Sequence, residues 1–130
     1  MKKALILLLP MFLLISCVTK SNMGQFTAIS TKMINSNKFD LTTAKATDNV
    51  VGTDTAFNVL FFEMARPRLN AAVNSTLANG QGDLLLNAKA VYESRFYFLF
   101  NTSTIRLTGT VVDTKTAKTV NDINVIKKGK

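Results

Sequence analysis

The stretch Leu69-Asn70-Ala71-Ala72-Val73-Asn74-Ser75-Thr76-Leu77-Ala78-Asn79-Gly80, continuing through Gln81-Gly82-Asp83 into Leu84-Leu85-Leu86-Asn87-Ala88, decides the fold. Leu69, Ala72, Val73 and Leu77 fall at i, i+3, i+4 and i+8, which puts them on one stripe of a helix with Asn70, Asn74 and Ser75 facing away. Pro67 suits the first helical turn, where its missing N–H costs nothing. Gly80 is expected to adopt the left-handed conformation that closes the last turn. After Asp83 the apolar period changes from 3.6 to 2, so a helix of about three turns runs through a tight turn into a strand.

Downstream, Leu84 to Glu93 alternates with Leu84, Leu86, Ala88, Ala90 and Tyr92 on one face. The small Ala88 and Ala90 would let a helix approach closely. Arg95 to Phe100 follows with Phe96, Phe98 and Phe100 on one side, and Asn101-Thr102-Ser103 is a turn signal. Thr104 to Val112 sets Ile105, Leu107, Gly109 and Val111 against Arg106, Thr108 and Thr110, the pattern of a half-buried strand. Short connections between these three segments indicate an antiparallel meander. Upstream, Gln25 to Ile34 is a strand candidate, with Thr27, Ile29, Thr31 and Met33 in alternation. Asn35 to Ala56 is rich in Ser, Thr, Asn and Asp, and its best ordered piece is a turn or short strand at Asn49-Val50-Val51-Gly52. Phe57 to Met64 is apolar on both faces, which suggests a central strand covered on both sides or one with a face covered by the helix that follows. Together these segments define an α+β domain over residues 25–113, one helix packed on a small, mainly antiparallel sheet. Residues 114–130 are expected as a polar basic tail, with a weak edge strand at Asn121–Ile126.

The N-terminus is different in kind. Lys2 and Lys3 precede an apolar run from Ala4 to Ile15 that only Pro10 interrupts, and the small Ser16 stands before the sole cysteine. The run falls short of the roughly 20 apolar residues a membrane-spanning helix needs, and it has the layout of a secretory leader. Leu14-Ile15-Ser16-Cys17 resembles the lipobox of bacterial lipoproteins. That resemblance implies removal of residues 1–16 and a diacylglycerol thioether on Cys17. Two or more acyl chains anchor stably, since each buried methylene contributes about 0.8 kcal/mol. It implies the membrane as a partner and the cell envelope as location. Val18 stands where an Asp would retain such proteins at the inner membrane of enteric bacteria, so the outer membrane is expected where the host has one. Residues 17–24 are expected to supply lipid attachment and a polar tether.

Leu69-Asn-Ala-Ala-Val, then Leu77-Ala-Asn-Gly-Gln-Gly-Asp-Leu-Leu-Leu, with Gly109-Thr110-Val111-Val112 in a later strand, also resembles the small TRL-like lipoproteins of bacterial envelopes. This likeness covers residues 50 to 113. It implies a fold and brings no catalytic residues with it.

The formal net charge of +8 is unevenly placed. From Gly24 to Asp113 eight basic residues face seven acidic ones, whereas Lys115, Lys118, Lys127, Lys128 and Lys130 face only Asp122. With no His, and with the only Cys at the leader boundary, imidazole or thiolate metal sites and Ser-His-Asp chemistry are excluded. Glu63 and Glu93 are the only glutamates, and each is expected at a strand end as a solvated charge. Gly80-Gln81-Gly82 follows a helix, whereas phosphate loops precede one. No catalytic, cofactor-binding or metal residues are therefore assigned, and the chain is not expected to be an enzyme. Two functions remain. The first is a non-catalytic envelope lipoprotein that is structural or binds an envelope partner. The alternative is a polyanion-binding module in which Lys127, Lys128 and Lys130 contact an anionic surface, with no specific nucleic acid expected.

Overall fold

The computed structural model describes residues 17–34, 38–59, 62, 64–97 and 99–119. Four long strands form one antiparallel sheet: β1 (Cys17–Ile29), β3 (Lys45–Val59), β4 (Leu84–Phe96) and β5 (Phe100–Asp113), in the order β1-β4-β5-β3. Helix α1 (Leu69–Gly80) connects β3 to β4 and lies mainly across β3 and β5. The two-residue strands β2 (Phe39–Asp40) and β6 (Lys118–Thr119) pair with each other as a separate small sheet. One helix on a mainly antiparallel sheet is an α+β architecture.

The helix forms by the expected stripe. Ala72, Val73 and Leu77 are buried and Leu69 is half-buried. Thr76 joins them, fully buried, because its hydroxyl donates to the Ala72 carbonyl at 2.8 Å and so satisfies itself inside the helix. Below Thr76 lies Gly52 of β3. A Cβ there would overlap the Thr76 side chain and backbone, so this glycine sets how close the helix comes. Ala88 and Ala90 are fully buried, but the close approach falls on β3 rather than on them.

The cluster under the helix comprises Val50, Leu85, Ala88, Ala90, Ile105, Leu107 and Val111 together with the helical stripe. Burying each larger aliphatic side chain contributes about 1.5–3 kcal/mol. Ile105, Leu107 and Val111 lie inward on β5, and Arg106 outward, as alternation dictates. On β4 the phase differs from the expected one. A bulge between Leu86 and Lys89, with Asn87 at φ 50°, sets Leu85 rather than Leu84 and Leu86 beside Ala88 and Ala90 in the cluster. A second bulge on β3 has Asn49 at φ 56°. Asn tolerates this left-handed geometry better than most residues.

The structure corrects several boundaries. Val18–Gly24, expected as a tether, belongs to β1 and pairs along β4 from Cys17↔Phe96 onward, because backbone hydrogen bonding needs no apolar side chains. The polar stretch before Ala56 is largely β3. Phe57 lies near the end of that strand, at the sheet edge and half-exposed, rather than in a central strand. The three-stranded meander is a hairpin of two long strands, turned where the Tyr97 and Phe100 backbones bond each other at 2.8 and 3.2 Å. Gln81, at φ 56°, closes the helix instead of Gly80, which remains helical and packs so close to Val111 that a Cβ there would overlap it. Thr114–Thr119, expected in a tail, folds back: Thr114 is buried, and Lys118 and Thr119 form β6. Residues 1–16, expected as a leader, and Asn121–Ile126, expected as a weak edge strand, lie outside the described residues.

Candidate functional site

Cys17 is the first residue of β1, exposed and unpaired as a thiol. No spacer separates it from the domain. It stands on the last rung of the sheet, where the register runs Cys17↔Phe96, Phe96↔Asn101 and Asn101↔Asn58 across all four strands. A group attached to its sulfur would sit against the sheet itself.

The face opposite the helix is open and polar. Here the register sets Lys20 beside Glu93, Glu93 beside Thr104 and Thr104 beside Thr55, with Val91, Arg106 and Thr53 on the neighbouring row. Glu93, expected as a solvated strand-end charge, is only 8% exposed. Its cover is shallow, coming from long side chains laid over it rather than from depth. The Arg95 guanidinium donates to Glu93 Oε1 at 2.8 Å from Nε and approaches it at 2.7 Å from Nη2, and Lys20 Nζ stands 3.9 Å from Oε2. The Arg95 hydrogen bond, helped by Lys20 and Arg106 against the opposing effect of desolvation, holds the Glu93 carboxyl below its ordinary value. An ionised acid held by cations is poorly suited to donate a proton. Its proposed counterpart, Glu63, lies outside the described residues. The face can instead present charged and hydroxyl groups to a polar or anionic surface. Lys89 and Arg106 add positive charge, and Thr55 and Thr104 are hydrogen-bonded to each other at 2.9 Å.

The helix start, with Arg66 and Arg68 around Pro67, is already served by a carboxylate. Asp54 Oδ2 accepts the Arg68 N–H at 2.6 Å, and Asn58 Oδ1 accepts the N–H groups of Met64 and Ala65 at 2.9 and 3.2 Å. Lys127, Lys128 and Lys130 lie outside the described residues. Of the remaining tail lysines, Lys118 adds to the attraction that, after the Thr42 hydrogen bonds, lowers the Asp40 carboxyl, while Lys115 lies near Asp83. Among the described residues no group of three or more His, Cys, Asp or Glu gathers as a metal site, and no helix is long and apolar enough to cross a membrane.

Sequence reasoning singled out Cys17 and missed the Glu93 cluster. Its signal was the run Glu93-Ser94-Arg95, which in a strand puts acid and base on the same face two residues apart. No protein-family model, no curated protein and no solved structure matches this chain.

Proposed function

We propose that this chain is a bacterial envelope lipoprotein, anchored through acylated Cys17, whose α+β domain has a structural or partner-binding role and no catalytic one. The observation that carries the proposal is Leu14-Ile15-Ser16-Cys17, closing an apolar run on the only cysteine. The exposure of Cys17 on the first residue of β1 is consistent with it, since a modifying enzyme can reach the sulfur. The outer membrane is the proposed location where the host has one. Replacing Cys17 by Ser should abolish incorporation of labelled fatty acid and move the protein out of the membrane fraction. Labelling that persists in Cys17→Ser would contradict the proposal.

Binding to a polyanionic surface is the second function, and the cations of the open face, Lys20, Lys89, Arg95 and Arg106, favour it over a purely structural role. Contributions of the tail and of the face can be separated. A chain ending at Thr119 keeps the folded Thr114–Thr119 segment and removes Lys127, Lys128 and Lys130. Salt-sensitive binding of the Cys17→Ser protein to anionic vesicles that disappears in the shortened chain assigns the activity to the tail. Binding that survives there and falls with Arg106→Ala assigns it to the sheet.

A further inference from the structure

The sheet end that carries Cys17 is also the apolar end of the molecule. Ten large apolar side chains stand exposed among the described residues, and seven of them gather here. Phe96, Leu99 and Phe100 come from the β4–β5 hairpin. Phe57, Phe62 and Met64 come from the end of β3 and the chain just after it. Val18, next to the cysteine, is the seventh. They share one end of the sheet, distributed over both of its faces. Phe96 pairs directly with Cys17, Phe100 pairs with Val59, and Phe62 bridges back to Val59. The Phe57 and Phe100 ring centroids are 5.4 Å apart, and Tyr97 stacks on Phe100 at 4.5 Å. An apolar patch of this kind on a small domain marks a contact surface.

The rest of the molecule has the opposite character. At the far end of the sheet Lys45 pairs with Asp113, Lys118 pairs with Asp40 and Lys115 lies near Asp83, so charged groups are matched there and no large apolar side chain is exposed on those residues. The apolar end carries Lys20 and Arg95 within three residues of the Cys17–Phe96 rung, where they already neutralise Glu93. Aromatic and aliphatic tips beside Lys and Arg are the composition that settles at the boundary between lipid headgroups and acyl chains.

We propose that this end docks into the lipid bilayer, with the β4–β5 hairpin tip inserting beside the acyl chains on Cys17. The proposal rests on the anchor reading above and adds an orientation to it. Neighbouring strands are about 4.8 Å apart, so three strand spacings, about 15 Å, separate Cys17 from the far edge of the patch. Chains bonded to that sulfur with no spacer bring the whole end to the membrane surface. The four strands then rise from the bilayer, and the helix, the open polar face and the polar far end remain accessible to envelope partners.

The chain has no Trp, so a single introduced indole reports position without background. The test uses the full-length lipidated protein reconstituted in vesicles containing lipids brominated along their acyl chains. Leu99→Trp places the indole at the hairpin tip, and Lys115→Trp places it at the opposite end. Intact mass of each sample establishes whether Cys17 carries acyl chains. Leu99→Trp should emit at shorter wavelength on vesicles and be quenched several-fold more than Lys115→Trp. Acylated protein in which both indoles are quenched equally little overturns the docking while leaving the anchor in place. A blue shift of Leu99→Trp that develops with protein concentration in detergent, without quenching on vesicles, also overturns it and assigns the patch to a second copy of the chain. Absence of acyl mass on Cys17 overturns the anchor reading itself.

Discussion

The two ends of the sheet are built on different principles. At the far end polar groups are paired off. The Asp83 carboxylate accepts from the Thr114 N–H at 2.9 Å and from its hydroxyl at 2.6 Å, while Ser30 donates to the Asp83 carbonyl at 2.8 Å. The Lys45 N–H donates to Thr116 Oγ1 at 2.8 Å, and β2 and β6 pair beside it. At the Cys17 end, by contrast, aromatic side chains stand half-exposed around a turn. Four strands of similar length connect the two, so the difference lies in the side chains and not in the backbone. One end closes the fold on itself, and the other is left to be closed by something else.

That contrast is broken or sharpened by substitution. The largest effects belong to the core beneath the helix, which both ends share. Leu107→Ala and Leu85→Ala each remove a fully buried aliphatic side chain and should cost about 2–5 kcal/mol in denaturant melts. Gly52→Ala comes next. A methyl group there meets Thr76 and the Ala72 carbonyl, backbone as well as side chain, and should cost about 1–3 kcal/mol or more as overpacking. An unchanged melt would show that the helix can move away from β3.

At the far end, Asp83→Ala removes both Thr114 partners and should cost about 1–3 kcal/mol. The same residue carries a pH signature. Burial raises the Asp83 carboxyl, but the two Thr114 hydrogen bonds, its own backbone N–H and Lys115 outweigh burial and lower it below its ordinary value. A carboxyl depressed in the folded state stabilises the protein above its unfolded value, about 4. That stability is lost as pH falls through the lower folded value. Glu93 adds to the same acid-side loss. Acid melts should therefore weaken less steeply for Asp83→Asn than for the natural chain, and parallel curves would show that the Thr114 bonds are not made in solution.

The smallest effects should come from the apolar end. Phe96→Ser and Leu99→Ser, at side chains 56% and 47% exposed, should change stability by no more than about 0.5 kcal/mol. Losses as large as that of Leu107→Ala would make this end part of the core and erase the contrast.

Residues legible in the sequence were those whose burial is one-sided and large. Helix α1 and strand β5 showed themselves through Leu69-Ala72-Val73-Leu77 and Ile105-Leu107-Val111, because packing against one face writes its period into the chain. Strand β3 was hidden. Its inward positions include Gly52 and Ala56, kept small by the close helix, so no apolar alternation remains among the surrounding Thr and Asp residues. Strand β1 was half hidden for another reason. It is an edge strand, and from Cys17 to Met23 both its faces are exposed, so backbone pairing and not an apolar face fixes it. Thr76 carries its own hydrogen-bond partner, four residues back, and so a polar letter stands at a core position. As for the site, the proposal of Cys17 draws on local chemistry alone. That Phe96 stands beside Cys17, with Phe100 and Phe57 at the same end of the sheet, depends on strand register, which no local pattern specifies.

Attachment through Cys17 is the central claim, and the intact mass of the protein purified from membranes tests it most directly. The account predicts a chain that starts at Cys17 and carries the added mass of a diacylglycerol, with or without a further acyl chain on the amine. A membrane-extracted chain that retains residues 1–16, or one that starts at another residue with Cys17 as a free thiol, would contradict it.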